Sequence, residues 1–156
     1  MSKQVYLAGP CFSAAERRWN EEVRHELAVR CNGTRIKIFL PQEQVKEHWA
    51  GATIQKVLVK GLVQSHVLIA NLDGPGGDDG TCWEMGFIAG MNEVAKDFLS
   101  TKQKQIFWYR TDFRNGGDSD HNVNLMMAYG GLPLPLLGKN TPVDVATAIT
   151  DVLGLE

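Results

Sequence analysis

The chain has 156 residues, 44% hydrophobic and 22% charged, which is enough for one domain spanning residues 1–156 and too little for two. Sixteen Lys and Arg against 18 Asp and Glu leave a net charge of −2 at pH 7, which excludes binding to a nucleic-acid polymer or a membrane surface through bulk positive charge. The longest aliphatic run, Val67 to Ala70, is too short to cross a bilayer, and no secretory pattern precedes Gly9. Three cysteines, Cys11, Cys31 and Cys82, cannot all pair, so a reduced, cytoplasmic protein is the expectation.

Residues 3–9 carry the apolar run Val5-Tyr6-Leu7-Ala8 and end at Gly9-Pro10, which predicts a buried strand followed by a sharp turn. Ser13 with Glu16 forms a capping box at the start of a helix, and Trp19, Val23 and Leu27 recur on one of its faces. Ile36, Ile38 and Leu40 predict a second strand, stopped by Pro41. Residues 42–51 read as a short helix or loop, and 53–64 as a helix with Ile54, Val57, Leu58, Gly61 and Leu62 on one side. Val67-Leu68-Ile69-Ala70 is the clearest buried strand; it runs into a loop over 71–80 rich in Gly and Asp. A helix is predicted from Thr81 to about Val94, a strand over 106–109, a polar loop over 110–120, and a last helix over 143–153 with Pro142 at its first turn.

Strands alternating with helices specify a parallel sheet covered on both faces. The expected class is α/β: a doubly wound, mainly parallel five-stranded sheet flanked by helices, flavodoxin- or Rossmann-like. Ligands of such sheets bind at the carboxyl ends of the strands. Two strand ends here are unusual, Gly9-Pro10-Cys11-Phe12 and the Gly/Asp loop after Ala70, and the site is expected between them. The common phosphate-binding patterns are missing, since Asp79 occupies the third glycine position of a dinucleotide fingerprint and no G-x-x-x-x-G-K-[ST] occurs. The histidines, His25, His48, His66 and His121, lie at no metal-ligand spacing.

The segment Asp78-Asp79-Gly80-Thr81-Cys82-Trp83-Glu84-Met85-Gly86 is the most informative. Its plain structural reading is a T-x-x-E capping box, Thr81 with Glu84, behind acidic residues that favour the positive end of a helix dipole. The same placement suits a nucleophile. A carboxylate in a first helical turn has its anion favoured by backbone N–H groups, and it can attack an anomeric carbon to form a glycosyl ester. Gly86 would then let neighbouring backbone approach closely.

Tyr6-Leu7-Ala8-Gly9-Pro10-x-Phe12, the 78–86 segment and Asn122-Val123-Asn124-Leu125-Met126 stand in an order that resembles the nucleoside 2-deoxyribosyltransferase family, over residues 3 to about 130. The resemblance implies that Glu84 is the nucleophile that takes the deoxyribosyl group, and that the Tyr6 hydroxyl orients it. It implies that Phe12 lines the base pocket, where a plain reading makes Phe12 a hydrophobic staple. Gly9 would allow a tight turn at the sugar. The sugar-binding aspartate falls on Asp78 or Asp79. Asn124 and Met126 would be supplied to a neighbouring subunit's site, making the protein a homo-oligomer; as plain sequence, Asn122 and Asn124 are turn residues. Leu58 stands where the family often has a base-contacting Asp, so protonation or hydrogen bonding of the leaving base must come from elsewhere, with Asp78, Asp79 or residues 42–44 as candidates.

The implied reaction transfers 2-deoxyribose from a 2′-deoxynucleoside to a free nucleobase, with hydrolysis as a side reaction and no metal or organic cofactor. One rival is a 2′-deoxynucleoside 5′-monophosphate N-glycosidase, with Arg17, Arg18 or Arg114 approaching the phosphate. The other is a non-catalytic nucleoside or nucleotide sensor in which Glu84 only caps its helix. A carboxylate beside the sugar favours a free hydroxyl over a phosphate, and so nucleosides.

Overall fold

Local signals set most of the boundaries of this fold. The computed structural model describes residues 2–31, 36–46, 48–99, 102–112, 123–136 and 140–155. Strand β1 (Lys3–Ala8) is followed by helix α1 (Ala14–Arg30), whose capping box is made as expected: Ser13 Oγ accepts from the Glu16 amide, and the Glu16 carboxylate accepts from the Ser13 amide. Then come β2 (Ile36–Phe39), one helical turn α2 (Pro41–Gln44), α3 (Gly51–Gln64) and β3 (Val67–Asn71). Helix α4 (Asp79–Val94) continues into a π-helical turn, Ala95–Leu99, and leads to β4 (Gln105–Tyr109). A short α5 (Leu125–Ala128), a two-residue β5 (Leu132–Pro133) and α6 (Pro142–Leu153), opened by a Thr141–Asp144 capping box, complete the order.

The five strands form one sheet, all parallel, in the order β2-β1-β3-β4-β5. This is the flavodoxin-like order, and it puts the switch in winding direction between β1 and β3. Strand periodicity divides the core into two. Val5 and Leu7 pack with Val23 and Leu27 of α1 and with Val145 and Ile149 of α6. Tyr6 and Ala8 face the other way, against Leu62 of α3 and Met85 and Ile88 of α4. Burial on both faces explains why β3 reads as an unbroken apolar run. Among the described residues no helix is long and apolar enough to cross a membrane.

Three expectations need correction. Helix α4 begins at Asp79, because Asp78 rather than Thr81 is its cap: Asp78 Oδ2 accepts from both the amide and the hydroxyl of Thr81. A carboxylate oxygen is a stronger acceptor than a hydroxyl at a helix N-terminus, and Glu84 is left in the second turn with no capping role. A side chain at Gly86 would meet nothing within 4 Å, so no close backbone approach in this chain requires that glycine. Gly9 is needed for space, not for a turn: a Cβ there would lie 3.1 Å from the Cβ of Asn71. Asn122, Arg114 and His121 lie outside the described residues.

Gly61 ties α3 to the sheet. A Cβ there would fall 2.4 Å from the Phe39 ring, and that ring stacks on Tyr6 at 4.9 Å between centroids. Gly61→Ala must displace Phe39, and overpacking of this kind costs roughly 1–3 kcal/mol. Chemical denaturation should therefore show Gly61→Ala less stable by that amount, while Gly86→Ala, in open space, should be neutral or stabilising through helix propensity.

Candidate active site

The carboxyl ends of β1 and β3 and the start of α4 converge on one acidic centre. Tyr6, four residues before Pro10, is fully buried on the α3/α4 face of β1, and its ring stacks on Phe39. Its hydroxyl reaches across to α4 and donates to Glu84 Oε1 at 2.5 Å. Glu84 Oε2 has no hydrogen-bond partner among the described residues, and no main-chain amide binds either oxygen. One oxygen of the carboxyl is thus fixed and the other left available.

Burial dominates the electrostatics of this carboxyl. It pushes the Glu84 pKa up to about 7; the Tyr6 hydrogen bond pulls it down, and the nearby Asp78 carboxylate raises it further. This departs from the expectation that helix amides would hold the anion. Glu84 is one turn too far along α4 for them, so desolvation wins. Tyr6 itself is held protonated well above its usual range, by burial first and then by Glu84. The phenol therefore remains a donor throughout the working pH range.

Asp78 completes the centre. Both of its hydrogen bonds go to Oδ2, from Thr81, so Oδ1 has no partner among the described residues. Asp79 is exposed and accepts only from the adjacent Gly80 amide. Of the two aspartates, Asp78 is the one that acts on Glu84. Cys11 was not singled out by sequence, yet its half-buried thiol lies within electrostatic reach of Asp78, Glu84 and Tyr6, and burial pushes its pKa up. Its position as the variable residue of Gly-Pro-x-Phe was the available signal.

The remaining sequence candidates are more peripheral. Phe12 is 77% exposed, with no staple to pack on, because the residue at the matching helical position is Arg17. Arg17 turns back to donate to the carbonyls of Cys11 and Phe12 at 3.1 and 2.7 Å. Asn124 caps α5, its Oδ1 accepting from the Met126 amide, and the Met126 side chain is 84% exposed. Helix α5 packs on the start of α4 through Met127 and Cys82, whose sulfurs are 3.1 Å apart, and among the described residues neither Asn124 nor Met126 bonds to Glu84. Gln42 is committed to α1, donating to the Arg17 carbonyl and to Glu21 and accepting from Asn20, and Leu58 is half-buried. Cavities of about 600, 630 and 310 Å³ lie elsewhere, and Glu84 lines none of these three. Among the described residues no group of three His, Cys, Asp or Glu side chains could hold a metal ion.

The family model for nucleoside 2-deoxyribosyltransferase matches residues 5–126. The chain belongs to that family. Membership places it among nucleoside-processing glycosyl transferases and glycosidases. Solved structures agree on the fold. A conserved protein from Enterococcus faecalis V583 is similar with a TM-score of 0.70 at 21% identity, over 97% of this chain and 99% of that one. A 2-deoxyribosyltransferase from Bacillus psychrosaccharolyticus gives 0.60 at 16% identity over 82% of each chain. A CMP N-glycosidase from Clostridium botulinum gives 0.57 at 13% identity, over 97% and 99%. No curated protein matches the chain in sequence.

The raised Glu84 pKa carries a stability consequence. Below the unfolded value, near 4.5, the group is protonated in both states and has no effect. As pH rises through the folded value of about 7, ionisation of the buried carboxyl comes to oppose folding by on the order of 3 kcal/mol. Glu84→Gln keeps an acceptor for Tyr6 and removes the charge. It should be clearly more stable than the parent at pH 8 and nearly equal at pH 4, as read by urea midpoints.

Proposed function

We propose that this protein transfers the 2-deoxyribosyl group of a 2′-deoxynucleoside between nucleobases by a two-step, retaining displacement at Glu84. The observation that carries this reading is the Tyr6–Glu84 hydrogen bond, which engages Oε1 and leaves Oε2 free in a site that disfavours its charge. A desolvated carboxylate is a stronger nucleophile than a solvated one, because no water must be stripped from it as it attacks. Glu84 Oε2 forms a bond to C1′ as the C1′–N bond breaks; the electron pair leaves with the base, which takes a proton from solvent, Leu58 offering none. The transition state is oxocarbenium-like, and the product is a deoxyribosyl ester of Glu84. A nitrogen of a second base then attacks C1′ on the face the first base left, and the carboxylate departs. Water in place of that base gives hydrolysis.

Asp78 Oδ1 is assigned to a sugar hydroxyl, a charge-assisted hydrogen bond that needs no movement of the aspartate already held by Thr81. Tyr6 is a positioning residue that also favours the ionised form of Glu84. No step calls for a metal or organic cofactor. Asn124 and Met126 are assigned to a neighbouring subunit's site, since each is exposed and neither bonds to Glu84 of its own chain among the described residues. A homo-oligomer is therefore part of the proposal.

A second reading is favoured by the Arg17 guanidinium at the edge of the site, where it also acts on Cys11. A cation there suits a 5′-phosphate, and the similar CMP N-glycosidase covers nearly the whole chain. The 2′-deoxynucleoside is preferred here because Asp78 and Glu84 together make the centre acidic.

Base exchange on deoxycytidine and deoxyadenosine, measured beside base release from their 5′-monophosphates, separates the readings. The proposal expects exchange with the nucleosides, kcat/KM rising through about pH 7 as Glu84 ionises, and a loss of roughly 10⁴-fold or more in folded Glu84→Ala. Release confined to the monophosphates selects the N-glycosidase. Turnover retained by Glu84→Ala, or tight binding with no release, rejects the displacement.

A further inference from the structure

Glu84 uses only the α3/α4 face of the sheet edge; the other face, at the same β1/β3 switch point, holds a separate cavity of about 310 Å³ between the start of α1 and the ends of β3 and β4. Asn71 lines it. This side chain is only 3% exposed, and its Oδ1 accepts from the Asp73 amide at 2.9 Å. That bond fixes the amide's orientation, and it leaves the Nδ2 group, two N–H donors, with no partner among the described residues. Nδ2 keeps contact with solvent, so an acceptor on a ligand would take the place of cavity water at these two donors.

The surroundings restrict what the ligand is. Pro10, Ala15 and the indole of Trp19 provide apolar wall, and Trp19 is held in place because its Nε1 donates to the Tyr109 hydroxyl at 3.2 Å. The rim is acidic. Asp73 is occupied, accepting from the Thr111 amide and hydroxyl and from the Asp112 amide. Asp112 is paired with Arg110 at 2.7 Å. Glu16 is the carboxylate with capacity to spare: its Oε2 accepts from the Ser13 amide at 2.6 Å, and that bond, with smaller help from the Ser13 hydroxyl, the Phe12 backbone and Arg17, lowers its pKa. An anion is repelled by this rim. The volume lies at the small end of ligand pockets, too tight for a nucleotide.

We propose that this cavity is a second binding site, for a small, uncharged, planar heterocycle that presents a ring or carbonyl acceptor to Asn71 and an amino group to Glu16. Free aminated nucleobases have that chemistry. The site is independent of the reaction assigned to Glu84, which lies across the sheet. It touches the turn after β1 at two places, where Pro10 lines its wall and where the Asn71 side chain packs on Gly9.

The test reads the Asn71 side-chain amide resonances of the full chain in ¹H–¹⁵N spectra during titration with cytosine, with adenine and with inorganic phosphate. The expected result is a saturable shift of the Asn71 Nδ2 signals with one or both bases and none with phosphate. Ala15→Trp, an exposed first-turn substitution that fills the cavity mouth, should remove the shift while leaving base exchange at Glu84 unchanged. Asn71→Asp keeps the acceptor for the Asp73 amide, deletes the donors, and should abolish base binding at this face; should it fail to fold, Ala15→Trp alone decides. Asn71 signals that stay unmoved by both bases up to their solubility limits overturn the proposal. So does a shift with phosphate alone, or a shift that survives Ala15→Trp. Because the readout is at Asn71, these results stand whether or not Glu84 proves to be a nucleophile.

Discussion

A carboxyl group buried against a phenol organises this protein. Glu84 cannot ionise cheaply where it lies, and the Tyr6 hydroxyl is the one hydrogen-bond donor it has among the described residues. Everything that holds Tyr6 still therefore holds the site. The ring is stacked on Phe39, Phe39 is packed against the bare Cα of Gly61, and α3 can approach β2 that closely only because residue 61 is glycine. The chain from helix packing to site geometry is four residues long: Gly61, Phe39, Tyr6, Glu84. A change at Gly61 is transmitted because cores are close-packed and have no slack to absorb a methyl group.

The sheet supplies the second constraint. A parallel order with its winding switch between β1 and β3 leaves a crevice at the carboxyl ends, and both chemistry-bearing loops empty into it. Because side chains alternate along a strand, the crevice is two-sided. Tyr6 and Ala70 belong to the α3/α4 face, and Asn71, one residue on, belongs to the α1 face. Gly9 and Asn71 meet at the divide, and a side chain at position 9 would have no room. The proposed displacement uses Tyr6, Asp78 and Glu84 on the α3/α4 side; the Asn71 amide on the other side, unpaired at Nδ2 among the described residues, has no part in it.

Most elements were legible in the sequence because their signals are local. The Ser13–Glu16 box, the Val67–Ala70 run and Pro142 at the start of α6 each depend on a few adjacent residues, and all three are found where they were expected. The misreading at α4 has a clear origin. Asp78, Thr81 and Glu84 are evenly spaced, so two caps three residues apart fit the pattern equally well, and only the tertiary bond from Tyr6 removes Glu84 from the second. Likewise β5 has two residues and no periodicity of its own; it exists through pairing with β4. The choice between Asp78 and Asp79 depended on loop geometry over three positive-φ glycines, Gly74, Gly76 and Gly77, which sequence spacing does not encode. Cys11 and Asn71 were illegible for a related reason, since each gains meaning only from groups far away in the chain.

The account stands on Glu84 bonding covalently to a sugar. Mixing the protein with a 2′-deoxynucleoside, quenching in acid and mapping peptides by mass spectrometry tests this directly. The account predicts a deoxyribosyl mass increment on the peptide that contains Glu84, lost when an acceptor base is added before the quench and absent from Glu84→Gln. Base release that proceeds with no such adduct at any quench time, or an adduct on another residue, would contradict it.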